Sequence, residues 1–224
     1  GMGTVAGCCA IESRLMAQFF NIHPDNPNAR LVRQAVAMLR EGAVAVYPTD
    51  SGYALGCHLD DKEAVARIRQ IRGLDDQHHL TLVCRDLSEL SNYARVDNVQ
   101  FRQLKNNTPG AYTFILQATK EVPRRLQHPK RSTVGVRIPD HPVALALLEE
   151  MGEPLLSATL ILPEAHHPLT DVDEIREHLE HRVDLIIEGG AVGLDPTTVI
   201  DLSGDAPQLV RAGRGDVQPF GIEA

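Results

Sequence analysis

Residues 46–57 read Val46-Tyr47-Pro48-Thr49-Asp50-Ser51-Gly52-Tyr53-Ala54-Leu55-Gly56-Cys57. The apolar run over 43–47 is the pattern of a buried strand, and Pro48 is expected to break it because proline has no N–H for a ladder. A second strand follows over 53–58. Upstream, Asn26-Pro27 predicts a cap and a proline in the first helical turn. Leu31, Val32, Ala35, Val36 and Leu39 then recur at helical spacing until Gly42. Before that helix, 18–22 reads as a short strand. Downstream, Asp60 is expected to cap a helix with Ala64, Val65, Ile68 and Ile71 on one face, ended by Gly73.

Further along, strands are expected over 80–84, 112–117 and 133–138, and a helix over 97–106. Asp140 is expected to cap a helix carrying Val143, Leu145, Leu147 and Leu148, stopped by Gly152. Thr170 and Asp173 suggest a capping box for a helix through Leu179. Strands over 184–187, 197–202 and 208–210 complete the pattern. Strands and helices intermix without strict alternation, and there is no repeat or low-complexity linker. The fold class is therefore α/β, a single domain with a mixed, twisted sheet rather than a doubly wound parallel one. Residues 1–15 read as an N-terminal extension or tag remnant, and 16–224 as the domain, with Gly1 a processing scar.

At 224 residues the chain can build its core without disulfides or metal. No apolar run approaches the roughly 20 residues of a membrane span. Cys8, Cys9, Cys57 and Cys84 form no CxxC pair and read as reduced thiols of a cytoplasmic protein. The formal net charge of −8 argues against a surface given over to DNA. A local basic stretch survives within it: Lys120, Arg124, Arg125, Lys130, Arg131 and Arg137, opposed only by Glu121. It reads either as a solvated loop or as one wall of a basic groove.

The common phosphate loops are absent: there is no GxxxxGK[ST] and no GxGxxG between a strand and a helix. The pairs His78-His79 and His166-His167, with His178 and His181, lack the spacing of a zinc site, so no metal ligand is assigned. No GxSxG elbow supports a serine hydrolase. What remains is a set of polar residues at strand ends: Thr49-Asp50-Ser51, Tyr112-Thr113, Arg137, Ser157-Ala158-Thr159, Thr197-Thr198 and Arg211. Singly these are turn formers. Together they flank apolar strands and include two arginines able to hold anions.

Their order resembles that of the YrdC/YciO family. Residues 46–57 are similar to its PTDT-x-YGLGC signature, and Thr108-Pro109-Gly110-Ala111-Tyr112-Thr113 to its PGP-x-T turn. Gly135-Val136-Arg137-Ile138-Pro139, Pro196-Thr197-Thr198-Val199-Ile200-Asp201 and Leu209-Val210-Arg211-Ala212-Gly213 resemble three further motifs, all in family order over 16–220. Lys105-Asn106-Asn107-Thr108-Pro109-Gly110 resembles the YciO branch. The resemblance implies a twisted sheet around a deep, positively lined groove that binds a nucleotide. Characterised synthases of the family join threonine, bicarbonate and ATP into threonylcarbamoyl-adenylate for tRNA modification. Carried over by position, Thr49, Ser51, Thr113 and Arg137 would line the amino-acid end. Arg72, Ser157, Thr159, Thr198 and Arg211 would meet the nucleotide or its phosphates. ATP or AMP would be the nucleotide, with Mg2+ if ATP is bound.

The chain departs from the synthase pattern at three places. Lys-x-Arg is replaced by Arg72-Gly73-Leu74, Ser-x-Asn by Ser157-Ala158-Thr159, and an expected histidine is missing from Thr81-Leu82-Val83-Cys84. These features imply a YciO-like translation or tRNA-modification factor holding a nucleotide, an adenylate or RNA. The alternatives are a threonylcarbamoyl-AMP synthase using ATP, L-threonine and bicarbonate, and a double-stranded RNA-binding protein without catalysis. Possible partners are thus a nucleotide and tRNA or double-stranded RNA, with no membrane.

Overall fold

The computed structural model describes residues 16–75 and 80–223. The expected extension over 1–15 and the His78-His79 pair lie outside the described residues. Strand β1 (Gln18–Asn21) leads to helix α1 (Ala29–Arg40), then to β2 (Ala45–Thr49) and β3 (Gly52–His58), a hairpin turned by Asp50 and Ser51. Helix α2 (Lys62–Arg72) precedes β4 (Thr81–Val83), α3 (Leu87–Tyr93), α4 (Asn98–Asn107) and β5 (Tyr112–Gln117). There follow β6 (Thr133–Arg137), α5 (Pro142–Met151), β7 (Leu155–Thr159), α6 (Val172–Leu179), β8 (Leu185–Glu188), β9 (Thr198–Asp201) and β10 (Gln208–Arg211).

The helix starts are set by side chains that accept orphan N–H groups, and several differ from expectation by one or two residues. Asn28, not Asn26, caps α1, accepting from Leu31 N at 3.1 Å. Asp61, not Asp60, caps α2, its carboxylate accepting from Ala64 N at 2.9 Å. His141, not Asp140, caps α5 ahead of Pro142, and Asp171, not Thr170, caps α6. Asp97 and Gln100 form a reciprocal capping box on α4. Gly73 and Gly152 end α2 and α5 in the left-handed conformation.

The strands form one mixed sheet in the order β1-β8-β2-β3-β7-β4-β6-β5-β9-β10. Pro48 sits inside β2, opposite Tyr53, rather than ending it. On the other flank β8 pairs with β2 only at Ala45 and Val46, so that ladder has stopped before the proline. Residues 189–197 connect β8 to β9, seven strand positions apart in the sheet. A flat sheet would separate those strands by roughly 34 Å. That is about the full reach of ten extended residues. The segment also packs on Asp50 and His141, so the sheet is bent to bring its ends together.

Each sheet face has its own apolar core. On the far face, α2 (Ala64, Val65, Ile68, Ile71), Leu104 of α4 and α6 (Ile175, Leu179) pack on Val46, Leu55, Leu82, Phe114, Val136, Leu156, Ile186 and Ile200. On the near face, α1 and α5 pack on Ala45, Tyr47, Ala54, Val83, Leu155, Leu185 and Ile187. This second core covers only half of its face. Beyond it, β5 and β9 alternate between buried and half-exposed residues. The uncovered half of the near face is where the polar motif residues gather.

Candidate functional site

Residues opposite one another in a ladder point to the same side of a sheet. Tyr47 pairs with Ala54, and Ala54 with Thr159. Ser157 pairs with Gly56 and with Thr81, and Thr81 with Gly135. Gly135 pairs with Ile115, Thr113 with Val199, and Val199 with Arg211. Since every second residue of a strand shares a face, Thr49, Thr81, Thr113, Arg137, Ser157, Thr159 and Arg211 all lie on the near face. The atoms agree: a Cβ on Gly135 would meet Thr113 Cγ2 and Thr81 Oγ1, each at 3.6 Å.

Thr198 does not join them. Its partner is Tyr112, it is fully buried, and its hydroxyl donates to Gly215 O at 2.7 Å. Its neighbour Thr197 takes the near-face place, with Oγ1 2.9 Å from Thr113 Oγ1. Arg211 donates to Thr197 O through Nε and Nη2, at 3.1 and 2.8 Å, and to Thr197 Oγ1 at 2.8 Å. The arginine thus fixes Thr197, and partial burial lowers its pKa.

At the hairpin end, Thr49 Oγ1 donates to Gly52 O at 2.6 Å and accepts from Ser51 N at 3.0 Å. Asp50 forms an ion pair with Arg137 Nη2, both side chains being about nine-tenths buried. Arg214 Nη1 donates to Asp50 O at 3.2 Å. Ser51 Oγ and Arg137 Nε are buried without a hydrogen-bond partner among the described residues. Two buried donors left unmatched beside each other's strand ends are costly unless something accepts from them.

On β7, next to β3, Arg72 Nη1 donates to Thr159 O at 2.7 Å, its Nε is buried and unmatched, and desolvation lowers its pKa. Tyr47 OH lies 2.7 Å from Ser157 Oγ, which donates to Leu55 O at 2.8 Å. Burial pushes the Tyr47 phenol up to about 12. The tyrosine ring crosses over Gly56, where any Cβ would sit 2.7 Å from Cε1, so only glycine admits this path.

At this face stand the guanidinium groups of Arg137, Arg211 and Arg214, with the Asp50 carboxylate engaged by Arg137, while Arg72 reaches the Thr159 carbonyl from α2. The basic stretch after Lys120 is dispersed instead. Arg137 is buried at the site, Arg125 donates to Leu59 O, and Arg131 faces Asp201 at 4.0 Å. Cys57 and Cys84 are free and buried in the far-face core, with desolvation raising both thiols. No group of three or more His, Cys, Asp or Glu able to hold a metal occurs among the described residues. No helix among them is long and apolar enough to cross a membrane. Two surface depressions, one beside Val99 and Arg102 on α4 and one beside Tyr93 and Lys120, include none of the candidate ligand-binding residues, although Asn106 and Asn107 of the 105–110 motif line the first.

A family model described as Telomere recombination, covering Sua5, YciO and YrdC proteins, matches residues 37–213. The chain belongs to the Sua5/YciO/YrdC family. It is 62% identical to YciO of Escherichia coli over 92% of this chain and all of that protein. The crystal structure of E. coli YciO superposes with a TM-score of 0.88. The threonylcarbamoyl-AMP synthase of Halorhodospira halophila is 34% identical over 76% of this chain and 89% of its own length. P. abyssi Sua5, solved in complex with L-threonine, is 28% identical with a TM-score of 0.80, over 88% of this chain and 58% of that one. The mixed sheet and six helices of the described residues match the fold of these YciO and Sua5 structures. Against the Sua5/YciO/YrdC synthase pattern, Arg72 is turned to a backbone carbonyl and Leu74 packs on the far-face core.

Sequence reasoning listed Asp50 and Thr197 inside motifs but gave neither a role. It missed Tyr47 and Arg214 as site-forming residues. Strand parity could have found Thr197, because only one of two adjacent threonines in a strand can face the groove with Thr113.

Proposed function

We propose that the uncovered near face binds an adenine nucleotide or adenylate together with a small carboxylate, in the service of tRNA modification. The observation that carries this is the pair of buried, unmatched donors, Ser51 Oγ and Arg137 Nε, at the end of a row of hydroxyls and guanidiniums. A carboxylate accepts from both and adds charge-assisted strength. L-threonine is the favoured carboxylate, since the related P. abyssi Sua5 was solved with it. ATP or AMP is the favoured nucleotide, since the related H. halophila protein is a threonylcarbamoyl-AMP synthase. Mg2+ would arrive on the phosphates of ATP. The acid nearest the site, Asp50, is held by Arg137 and offers no ready ligand set.

Synthesis of an adenylate concentrates negative charge as pyrophosphate leaves, and cations act there on the transition state. Arg72 spends Nη1 on Thr159 O, and Leu74 supplies no charge. We therefore favour binding with at most weak turnover. A double-stranded RNA ligand has less support, because the basic stretch does not form one surface.

The test is calorimetric titration with L-threonine, AMP and ATP, followed by pyrophosphate release in ATP, L-threonine, bicarbonate and Mg2+. L-threonine binding is expected and should weaken by roughly tenfold to a hundredfold in Arg137→Met, the usual range for a lost charged hydrogen bond. Nucleotide binding should fall as salt rises. Pyrophosphate release should lie well below that of the H. halophila synthase. No binding of either ligand, with binding of an RNA hairpin instead, overturns the reading.

A further inference from the structure

The segment Gly213-Arg214-Gly215-Asp216 follows β10 and returns to the hairpin end of the site. Its backbone is held at each of these residues. Gly213 lies so close to the crossover that a Cβ there would sit 2.5 Å from Pro196 O and from Thr197 O. Arg214 N donates to Pro196 O at 3.0 Å. Gly215 lies against the Tyr112 ring, where a Cβ would sit 2.5 Å from Cε1, and its carbonyl accepts from Thr198 Oγ1 at 2.7 Å. Asp216 O accepts from Tyr112 OH at 2.9 Å. A side chain at 213 or 215 would push the segment off β5 and the crossover, so glycine on both sides is what seats Arg214 here.

From this fixed base the Arg214 side chain reaches the peptide that joins Asp50 to Ser51. Nη1 donates to Asp50 O at 3.2 Å, and the guanidinium has no other hydrogen bond and no carboxylate partner among the described residues. Most of its donors are therefore free, and the residue is exposed. Arg137 is the opposite case. It is buried, and the Asp50 carboxylate matches its charge. The Asp216 carboxylate is turned to its own chain, accepting from Gln218 N at 3.0 Å. Asp50 thus meets a guanidinium at its carboxylate and another at its carbonyl, and it neutralises only the first.

We propose that Arg214 is a specificity-determining residue: it supplies the uncompensated positive charge that makes the hairpin end prefer a carboxylate to the corresponding amide. This rests on the small-carboxylate reading and says what selects that ligand. Ser51 Oγ and Arg137 Nε are hydrogen-bond donors, and an amide oxygen accepts from them as a carboxylate oxygen does. The paired charges of Asp50 and Arg137 largely cancel at a distance, so they discriminate little between the two. The charge of Arg214 does not cancel, and its exposure makes the effect modest and sensitive to salt.

The experiment measures binding of L-threonine and L-threoninamide to wild-type protein, Arg214→Gln and Arg214→Lys at low and high salt, with urea denaturation to compare folding. Arg214→Gln keeps a donor and removes the charge, and Arg214→Lys keeps the charge. Wild-type protein is expected to prefer the acid. In Arg214→Gln the acid should bind about fivefold more weakly and the amide no more weakly than in wild-type protein. Arg214→Lys should retain most of the preference. Salt should narrow the preference in wild-type protein and hardly change it in Arg214→Gln. Equal losses for acid and amide would mean that Arg214 merely holds the turn, and the proposal falls. It also falls if Arg214→Gln leaves acid binding unchanged, or if Arg214→Lys loses the preference as fully as Arg214→Gln. Should Arg214→Gln fail to fold, the wild-type salt series decides: a preference for the acid that does not shrink as salt rises overturns the proposal. In each of these cases L-threonine binding to wild-type protein leaves the carboxylate reading standing. If neither probe binds wild-type protein, that reading fails, and this inference with it.

Discussion

The two halves of the near face are built on the same strands' alternation and end up opposite in character. Over β8, β2 and β3, with the ends of β7 and β4, the outward residues are Leu185, Ile187, Ala45, Tyr47, Ala54, Leu155 and Val83, and α1 and α5 seal them. Over the rest of the face they are Thr81, Thr113, Thr159, Val199, Arg137 and Arg211, and no helix among the described residues packs over them as α1 and α5 do over the sealed half. The far face is apolar on both sides of this divide. Sheet formation is thus satisfied everywhere by one face, and the other is free to differ. Burying an unmatched hydroxyl or amide costs on the order of 1–3 kcal/mol by protein measurements. A helix laid over the polar half would incur that cost several times, which is the physical reason the half stays open to a ligand.

Asp50 and Arg137 stand at the border, and the largest effect is expected there. Asp50→Ala leaves a guanidinium that is only 9% exposed without its carboxylate. Breaking a buried pair in this way commonly costs about 3–5 kcal/mol. Urea denaturation should show that loss, and adding Arg137→Met should recover at least half of it. A loss under about 1 kcal/mol for Asp50→Ala would place the pair in solvent and erase the border. Next in size is the direct contrast. Leu147→Ala, in the sealed half, should cost about 2–5 kcal/mol, the range for truncating a buried leucine. Ile115→Ala, half-exposed in the open half, should cost well under half as much because little apolar area leaves contact. Equal losses would mean that something covers Ile115.

Much of this division was legible in the sequence. The apolar runs located most of the strands, helical spacing located α1, α2 and α5, a capping signal pointed to α6, and α4 was expected over 97–106. The motif order identified the family, which the comparisons establish. Three kinds of feature were hidden. Helix α3 went unread although Asp86-Leu87-Ser88-Glu89 has the Asp-x-x-Glu form of a capped start, and Asp86 does accept from Glu89 N. Strand β7 was seen only as its polar end, Ser157-Ala158-Thr159, because Leu155 and Leu156 follow a helix too closely for periodicity to separate them. The choice between Thr197 and Thr198 depends on which side of β5 each faces, and that is a property of register across 84 residues of chain, not of either residue. The side chains that bond across the hairpin and the crossover, Asp50 to Arg137 and Tyr47 to Ser157, are likewise invisible until the sheet brings them together.

The smallest predicted effect tests how firmly the crossover 189–197 is tied to the sealed half. His141 caps α5 by accepting from Val143 N through Nδ1 at 3.1 Å, and it is 5% exposed. Its pKa is lowered, first by desolvation, against the opposing pull of Asp50, the Ala191 and Gly189 backbone and Asp140. Protonation would put a hydrogen on the very nitrogen that accepts the cap, so the folded protein favours the neutral ring. An unfolded histidine takes its proton near pH 6.5. Below that pH the unfolded chain therefore binds more protons than the folded one, and stability falls as pH drops until the lower folded-state pKa is passed. Glu89, whose pKa burial raises, works in the opposite direction at lower pH, so the histidine must be isolated by difference. His141→Asn keeps a capping oxygen and removes the titration. Stability measured by urea from pH 7.5 to 5.5 should fall more steeply for the wild-type protein than for this variant. A wild-type curve that is the flatter of the two would mean that the folded state accepts the imidazolium, and that the cap on α5 and the contact with Gly189 and Ala191 are looser than this geometry requires.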